Sequence, residues 1–189
     1  MISFEKLVPI VEKRLGPSKR FEHTLMVVKT ATQLAELHGA DIEKVKIAAI
    51  LHDITKHDSY ESHQALIESF YGTNEHKKWP EQLWHALSAK ALAVKEFKID
   101  DPDILNAIQY HTSGRESMSL IEKIIFVADF IEPSRTFDNL IYYDTAMHNL
   151  NKALAMILYS LNQHLISLGE TPVKDGQRAL RFYQHHLEE

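Results

Sequence analysis

Along this chain the apolar positions recur every three or four residues and almost nowhere every second one. Phe4, Leu7, Val8, Val11 and Leu15 form one such stripe, the period of an amphipathic helix. Residues 3–15 are therefore predicted helical, with a kink expected at Pro9. The pattern repeats over 18–37 and stops at Gly39, a residue suited to a helix C-cap. Asp41 is placed to cap the next helix. A polar segment over 57–80 holds one helix at 62–70 and a loop at Gly72-Thr73-Asn74. Pro80 suits the first turn of a helix running to 97. Asp101-Pro102 starts another helix, which ends near Ser113-Gly114. Ser119-Leu120-Ile121-Glu122 is a capping box; it opens a strongly apolar helix that Pro133 stops. A long amphipathic helix over 143–168 ends at Gly169, and Thr171-Pro172 leads to a final short helix. With no strand alternation, repeat or linker in view, the expected fold is one all-α domain.

Composition narrows the function. A chain of 189 residues can bury its own core without staples. It has no cysteine, which excludes disulfides, thiolate metal sites and thiol nucleophiles. Lys plus Arg is 21 against 26 Asp plus Glu, a net charge of −5. Nothing there favours nucleic acid or an anionic membrane. The opening MISFEKLVPIVEKRL carries acids among its apolar residues, unlike a secretory signal. No apolar run approaches the ~20 residues of a membrane helix. The expectation is a cytoplasmic protein without nucleic-acid or membrane partners. An anionic ligand would need a local basic cluster or a metal.

Twelve histidines are the compositional oddity, and five helices put His or Asp where an apolar face should continue. KIAAILHDITKHD runs Ile47, Ala48, Ala49, Ile50 and Leu51 straight into His52-Asp53. His23 lies between Phe21 and Leu25-Met26. His85 follows Leu83-Trp84, and His111 shares a face with Ile104 and Ile108. Asp129 lies in KIIFVADFIEP. A lone histidine on such a face is more often a core residue bonded to a carbonyl. Four His and two Asp interrupting five inward faces are harder to dismiss. Buried charge is costly unless paired or bound to metal, and helices meeting around one core can build a metal site. A His/carboxylate set without sulfur suits Fe, Mn, Co, Ni or Zn, with Mg admissible if water completes its shell. Six ligands fit two divalent ions better than one, bridged by Asp53 and a water or hydroxide. Two-metal sites commonly hydrolyse phosphorus esters.

Neighbouring residues agree with that chemistry. Lys56 shares a face with His52 and Asp53 and can reach a phosphate oxygen, a salt bridge to Asp53 being the plainer alternative. In HTSGRESMS, Thr112, Ser113 and the backbone around Gly114 adjoin His111. They offer a phosphate cradle or simply a helix-ending loop. Arg135 is a planar donor suited to phosphate, or else a surface residue. The histidines at 38, 57, 63, 76, 148, 164, 185 and 186 lie in polar settings or near the C-terminus; only His57 and His63 stay as weak candidates.

His23, then His52-Asp53, then Asp129 resemble the H…HD…D signature of the HD-domain superfamily of metal-dependent phosphohydrolases. ILHDITK, LWHALSAKAL, DILNAIQYHTSG and MSLIEKIIFVADFIEPSR look like its YqeK branch, the symmetrical bis(5'-nucleosyl)-tetraphosphatases of bacteria. The resemblance covers nearly the whole chain, least after Asn139. It implies a single helical HD domain over 1–189, with a core at about 18–137 and C-terminal helices at 143–189 packed on it. It also implies a buried di-metal site, usually of iron, and cleavage of diadenosine tetraphosphate to two ADP. Carried over, the metal ligands are His23, His52, Asp53, His85, His111 and Asp129, with Asp53 and Lys56 catalytic. Lys56, Thr112, Ser113, Gly114 and Arg135 fall to the substrate. WHALSAKAL lacks the Gly or Pro that the family tends to carry soon after its His, and the C-terminal segment departs from the family's ending.

Three alternatives stand beside this reading. They are an HD phosphohydrolase of another nucleotide, a di-iron HD oxygenase with the same four-His, two-Asp set, and a regulator that binds nucleotide without turnover. The apolar face over 153–168 is read as core, with a homodimer interface as the other option.

Overall fold

The computed structural model describes residues 2–135 and 139–189; the core boundary expected at 137 lies outside them. Ten α-helices follow one another with no strand among the described residues. They are α1 (Phe4–Leu15), α2 (Lys19–His38), α3 (Ile42–Leu51), α4 (Tyr60–Tyr71) and α5 (Trp84–Phe97). The others are α6 (Pro102–Tyr110), α7 (Leu120–Ile131), α8 (Leu140–His148), α9 (Leu150–Ser167) and α10 (Lys174–Tyr183). The all-α expectation is borne out.

Local chemistry sets the ends. Ser18, Asp41, Ser59, Asp101, Ser119 and Asn149 each accept a backbone N–H in the first turn that follows, satisfying donors with no partner inside the helix. Ser119 and Glu122 close the capping box reciprocally. Gly39 ends α2 in the left-handed region at φ 74°. α1 runs unbroken through Pro9.

Three boundaries differ from expectation. Pro80 precedes a separate 3₁₀ turn, Glu81–Leu83, and α5 starts only at Trp84. α6 stops at Tyr110, so His111 stands at its C-terminal edge and Thr112 and Ser113 in the turn beyond. The helix expected over 143–168 is two helices broken at Asn149, which is extended at φ −143° and ψ 93°. Its side chain accepts the Lys152 N–H, the local bond that makes Asn a better cap than interior residue.

The helices form one main core. α2 packs on α3 and α7, α6 on α3, α5 and α7, and α9 on α7, α8 and α10. α7 lies at the centre: Ile124, Ile125, Val127 and Ala128 are fully buried. Burying Ile124, Ile125 and Val127 is worth about 1.5–3 kcal/mol each, which helps to hold Asp129 on the same helix beside the interior. On the face over 153–168, Ala153, Leu154, Ile157 and Leu158 are buried in the core, whereas Leu161 and Leu165 are half-buried and Ile166 and Leu168 exposed. No helix among the described residues is long and apolar enough to cross a membrane.

Candidate metal centre

The six residues that interrupt the apolar faces meet in one place. α2 supplies His23, the end of α3 His52 and Asp53, the first turn of α5 His85, the end of α6 His111 and α7 Asp129. His23 Nε2 lies 3.0 Å from Asp129 Oδ1. His52 Nε2 lies 3.6 Å from Asp53 Oδ2 and 3.9 Å from Asp129 Oδ1. On the other side, His85 Nε2 lies 3.4 Å and His111 Nε2 3.5 Å from Asp53 Oδ1, and 3.2 Å from each other. Asp53 thus stands between two histidine clusters.

Hydrogen bonds from behind aim the imidazoles. His52 Nδ1–H donates to Ala49 O at 2.6 Å and His111 Nδ1–H to Ile108 O at 2.7 Å. Both are carbonyls three residues back, left free by a helix end. Their Nε2 atoms therefore face the centre as lone pairs, the usual way a metal-ligating histidine is fixed. His23 Nδ1 is held by Glu132 Oε1 at 2.9 Å.

Electrostatics keeps the centre in a ligating state. Burial drives His52 down to about 4 and His85 well below the usual imidazole range, so both are neutral at pH 7. His23 is the exception: burial pulls it down, but Asp129 and Glu132 outweigh burial and raise this imidazole, favouring a proton that a bound cation would have to displace. For Asp53 burial favours the neutral acid, yet the surrounding His52, His111 and Lys56 hold it well below the carboxylate range. Asp129 is depressed against its own burial by His23, His52 and Arg135.

The donor set fits divalent cations. His23 Nε2, His52 Nε2 and Asp53 Oδ1 are buried without a hydrogen-bond partner, and such atoms are costly unless something else satisfies them. Two groups have ligand atoms that all lie within 4.8 Å of one another: His23, His52 and Asp129, and His52, Asp53 and His111. They share His52.

The expected substrate residues are placed unequally. Lys56 Nζ lies 3.0 Å from His85 Nε2 and 3.9 Å from Asp53 Oδ1. Thr112 Oγ1 lies 3.3 Å from His85 Nε2. Arg135 donates to Asp129 Oδ1 at 2.6 Å and twice to its carbonyl. Ser113 Oγ is turned onto Gly114 O. Gly114 is packed so closely that a Cβ would meet Leu158 Cδ2 at 3.1 Å. Of the two weak candidates, His57 lines a cleft beside the centre, while His63 Nδ1 pairs with Ser88 Oγ. His76 departs from the polar setting expected of it, being buried against Trp84 and paired with Glu68.

Two residues here escaped the sequence reading. Arg20 donates to Asp53 Oδ2 at 2.8 Å. Glu132, fully buried, joins His23 to Ser134, whose N–H and hydroxyl both donate to it at 2.7 Å. Both stand three residues from a ligand, Arg20 before His23 and Glu132 after Asp129. That spacing puts them on the same face and was the available signal.

Two cavities flank the centre. One, about 200 Å³, touches His111, Asp129, Phe130 and Arg135. The other, an open basic cleft of about 390 Å³, is lined by Lys19, Arg20, His23 and Arg135.

A helical core that gathers histidines and aspartates from five helices is the arrangement of the HD domain, whose family model matches residues 20–134. The chain belongs to the HD domain family. Within it, the chain is similar to the symmetrical bis(5'-nucleosyl)-tetraphosphatase of Staphylococcus aureus (strain NCTC 8325 / PS 47). It is 36% identical to that protein over 135 residues, 71% of this chain and 69% of the relative. The symmetrical bis(5'-nucleosyl)-tetraphosphatase of Bacillus subtilis (strain 168) is 42% identical over 133 residues, 70% of this chain and 71% of the relative. A crystal structure of a predicted HD superfamily hydrolase involved in NAD metabolism, from Clostridium acetobutylicum, superposes with a TM-score of 0.84. It is 35% identical and covers 98% of both chains. The resemblance read from the sequence is borne out.

Proposed function

We propose that this protein is a metal-dependent hydrolase of dinucleoside polyphosphates that cuts diadenosine tetraphosphate symmetrically into two ADP. The observation that carries the reading is the meeting of His23, His52, His111, Asp53 and Asp129 in two ligand groups with unpartnered buried atoms, with His85 3.4 Å from Asp53 Oδ1, beside a basic cleft. The similar proteins from S. aureus and B. subtilis carry that activity in their names. This favours hydrolysis over the oxygenase reading. Two divalent ions, iron first among Fe, Mn, Co, Ni, Zn and Mg, would be held by His23, His52, Asp53, His85, His111 and Asp129. The reading also puts the protein in the cytoplasm.

Water adds to one of the two central phosphorus atoms, the bond to the oxygen bridging them breaks, and one ADP leaves as an anion. Bound divalent cations lower the pKa of water and clamp phosphoryl oxygens. The chain's own groups do the rest. Asp53 stays anionic and orients the attacking water by accepting its hydrogen bond at Oδ1. Lys56 and Arg135 offset the charge that builds on the phosphoryl oxygens, a stabilisation that grows where water is excluded. Thr112 donates its hydroxyl to a phosphoryl oxygen. Arg20 holds Asp53 by its second oxygen, leaving Oδ1 toward the water.

The test supplies the metal-loaded protein with diadenosine tetraphosphate and identifies products by chromatography. ADP alone is expected. AMP plus ATP would refute symmetrical cleavage, and no turnover with any of the six metals would refute the substrate.

A further inference from the structure

One buried polar cluster lies outside the reacting groups, behind His85. Thr55 and Ser88 are fully buried, and His63 is half-buried beside them. They come from the turn after α3, from α5 and from α4. Thr55 Oγ1 lies 2.8 Å from the His85 carbonyl oxygen and 2.8 Å from Ser88 Oγ. Ser88 Oγ lies 2.8 Å from His63 Nδ1 and 3.1 Å from the same carbonyl.

The protons give this cluster a direction. A carbonyl oxygen only accepts, and each hydroxyl carries one proton. Three contacts of 2.8 Å need three protons, and the two hydroxyls hold two. The third proton therefore sits on His63 Nδ1. Any other placement sets two lone pairs against each other in the interior and leaves a buried acceptor unpaired, at about 1–3 kcal/mol. Hydrogen bonds thus run from His63 Nδ1–H to Ser88, from Ser88 to Thr55, and from Thr55 to His85 O. Burial lowers the pKa of His63, and Lys56 and Arg14 add to that against Asp58, so this ring is neutral at pH 7 and carries one proton.

The bonds end where the metal centre lacks a brace. His52, His111 and His23 are each held at Nδ1 by an oxygen. His85 is not: among the described residues its Nδ1 has Lys56 Nζ at 3.3 Å and no oxygen. Its helix does not fix it from the end either, because α5 has no side-chain cap and His85 stands in the first turn. The polar hold on this ligand is instead on its backbone, at the carbonyl that takes the Thr55 hydroxyl. Thr55 follows Asp53 by two residues, so the same bonds tie the start of α5 to the turn that carries Asp53. A ligand set works when its supports hold it to within about 0.5 Å.

We propose that His63 is a positioning residue: through Ser88 and Thr55 it fixes His85 against Asp53 and so tightens the hold on a divalent cation, an inference that rests on the metal-dependent reading above.

Two measurements on the zinc-loaded protein test this. Nitrogen-15 NMR of histidine-labelled protein reads the tautomer, and the signal lost in His63→Leu assigns it; a proton on Nδ1 is expected. Competition with a chromophoric chelator reads zinc affinity. His63→Leu is expected to weaken it about tenfold, the low end for a residue behind a metal ligand. His63→Asn, whose amide N–H can replace Nδ1–H, is expected to restore most of the loss. In a His85→Ala background His63→Leu is expected to change nothing further, because its partner in the effect is gone. A general weakening of the fold would instead lower zinc affinity equally in both backgrounds. A proton on Nε2 in place of Nδ1, zinc affinity unchanged in His63→Leu, or equal losses in both backgrounds overturns the inference and leaves the hydrolase reading standing. A protein that meets these expectations yet leaves diadenosine tetraphosphate uncut refutes the hydrolase reading alone.

Discussion

Glu132→Gln separates holding a ligand in place from holding the fold together. Glu132 is fully buried and takes three bonds: from His23 Nδ1–H and the Ser134 hydroxyl at Oε1, and from the Ser134 N–H at Oε2. Glutamine has one oxygen to offer. If it faces His23, its NH₂ meets the Ser134 N–H, and a donor is left unsatisfied at about 1–3 kcal/mol. The loss of charge also makes the His23 imidazole a poorer ligand. Replacing a carboxylate behind a metal-bound histidine typically costs about 10- to 100-fold in metal affinity, or roughly 1.4–2.7 kcal/mol. Competition with a chromophoric chelator measures the affinity, and urea unfolding of the metal-free chain measures the stability. Both are expected to fall. Metal affinity equal to wild type, with only stability reduced, would refute the claim that Glu132 orients His23.

Other expectations reach different parts of the molecule. Arg20→Ala removes the partner of Asp53 Oδ2; kcat/KM is expected to fall about tenfold or more, and the metal-free fold to lose about 1–3 kcal/mol because a buried acceptor is left unpaired, with steady-state kinetics beside urea unfolding checking both. Gly114→Ala meets a left-handed backbone and Leu158 at once. The backbone alone costs about 1–2 kcal/mol, a drop in Tm of about 2–8 °C by calorimetry. At Asp101, burial favours the neutral acid, but Lys44 and the N–H groups at the start of α6 outweigh it and lower the pKa. A depressed carboxylate stabilises the fold above its unfolded value of about 3.9 and loses that contribution as pH falls through the folded value. Asp101→Asn should therefore flatten the acid limb of a stability–pH profile below about pH 4; an unchanged limb would assign the acid loss to other groups.

The helices were legible because their caps are local. Ser119 with Glu122, and Asp41 with Lys44, state their boundaries within four residues. The break at Asn149 was not, since the apolar period continues through it while the Asn149 side chain caps a new helix by accepting the Lys152 N–H. The ligand set was legible as polar residues on apolar faces. Arg20 and Glu132 were not singled out, because charged residues are common at helix ends; yet Arg20 opens α2 and Glu132 follows α7, each at the end its charge does not favour, and that was a second signal. A cleft of about 170 Å³ between the turn after α6 and α9 was invisible for a different reason. Its walls come from four separate stretches of chain, and no pattern within any one of them says that they meet.

The unpartnered atoms of His23, His52 and Asp53 bear on how long each copy of the protein survives. Without a cation they subtract from the stability of the fold. A ligand that binds only the folded chain adds about 2.7 kcal/mol at one hundred times its Kd. A shift of that size changes the unfolded fraction, and with it exposure to proteases, by about a hundredfold. Scarcity of metal should therefore shorten the protein's lifetime as well as silence it. Digestion rates measured with and without added metal would tell the two apart, and copies that miss their cation would be cleared instead of accumulating as inactive binders of nucleotide.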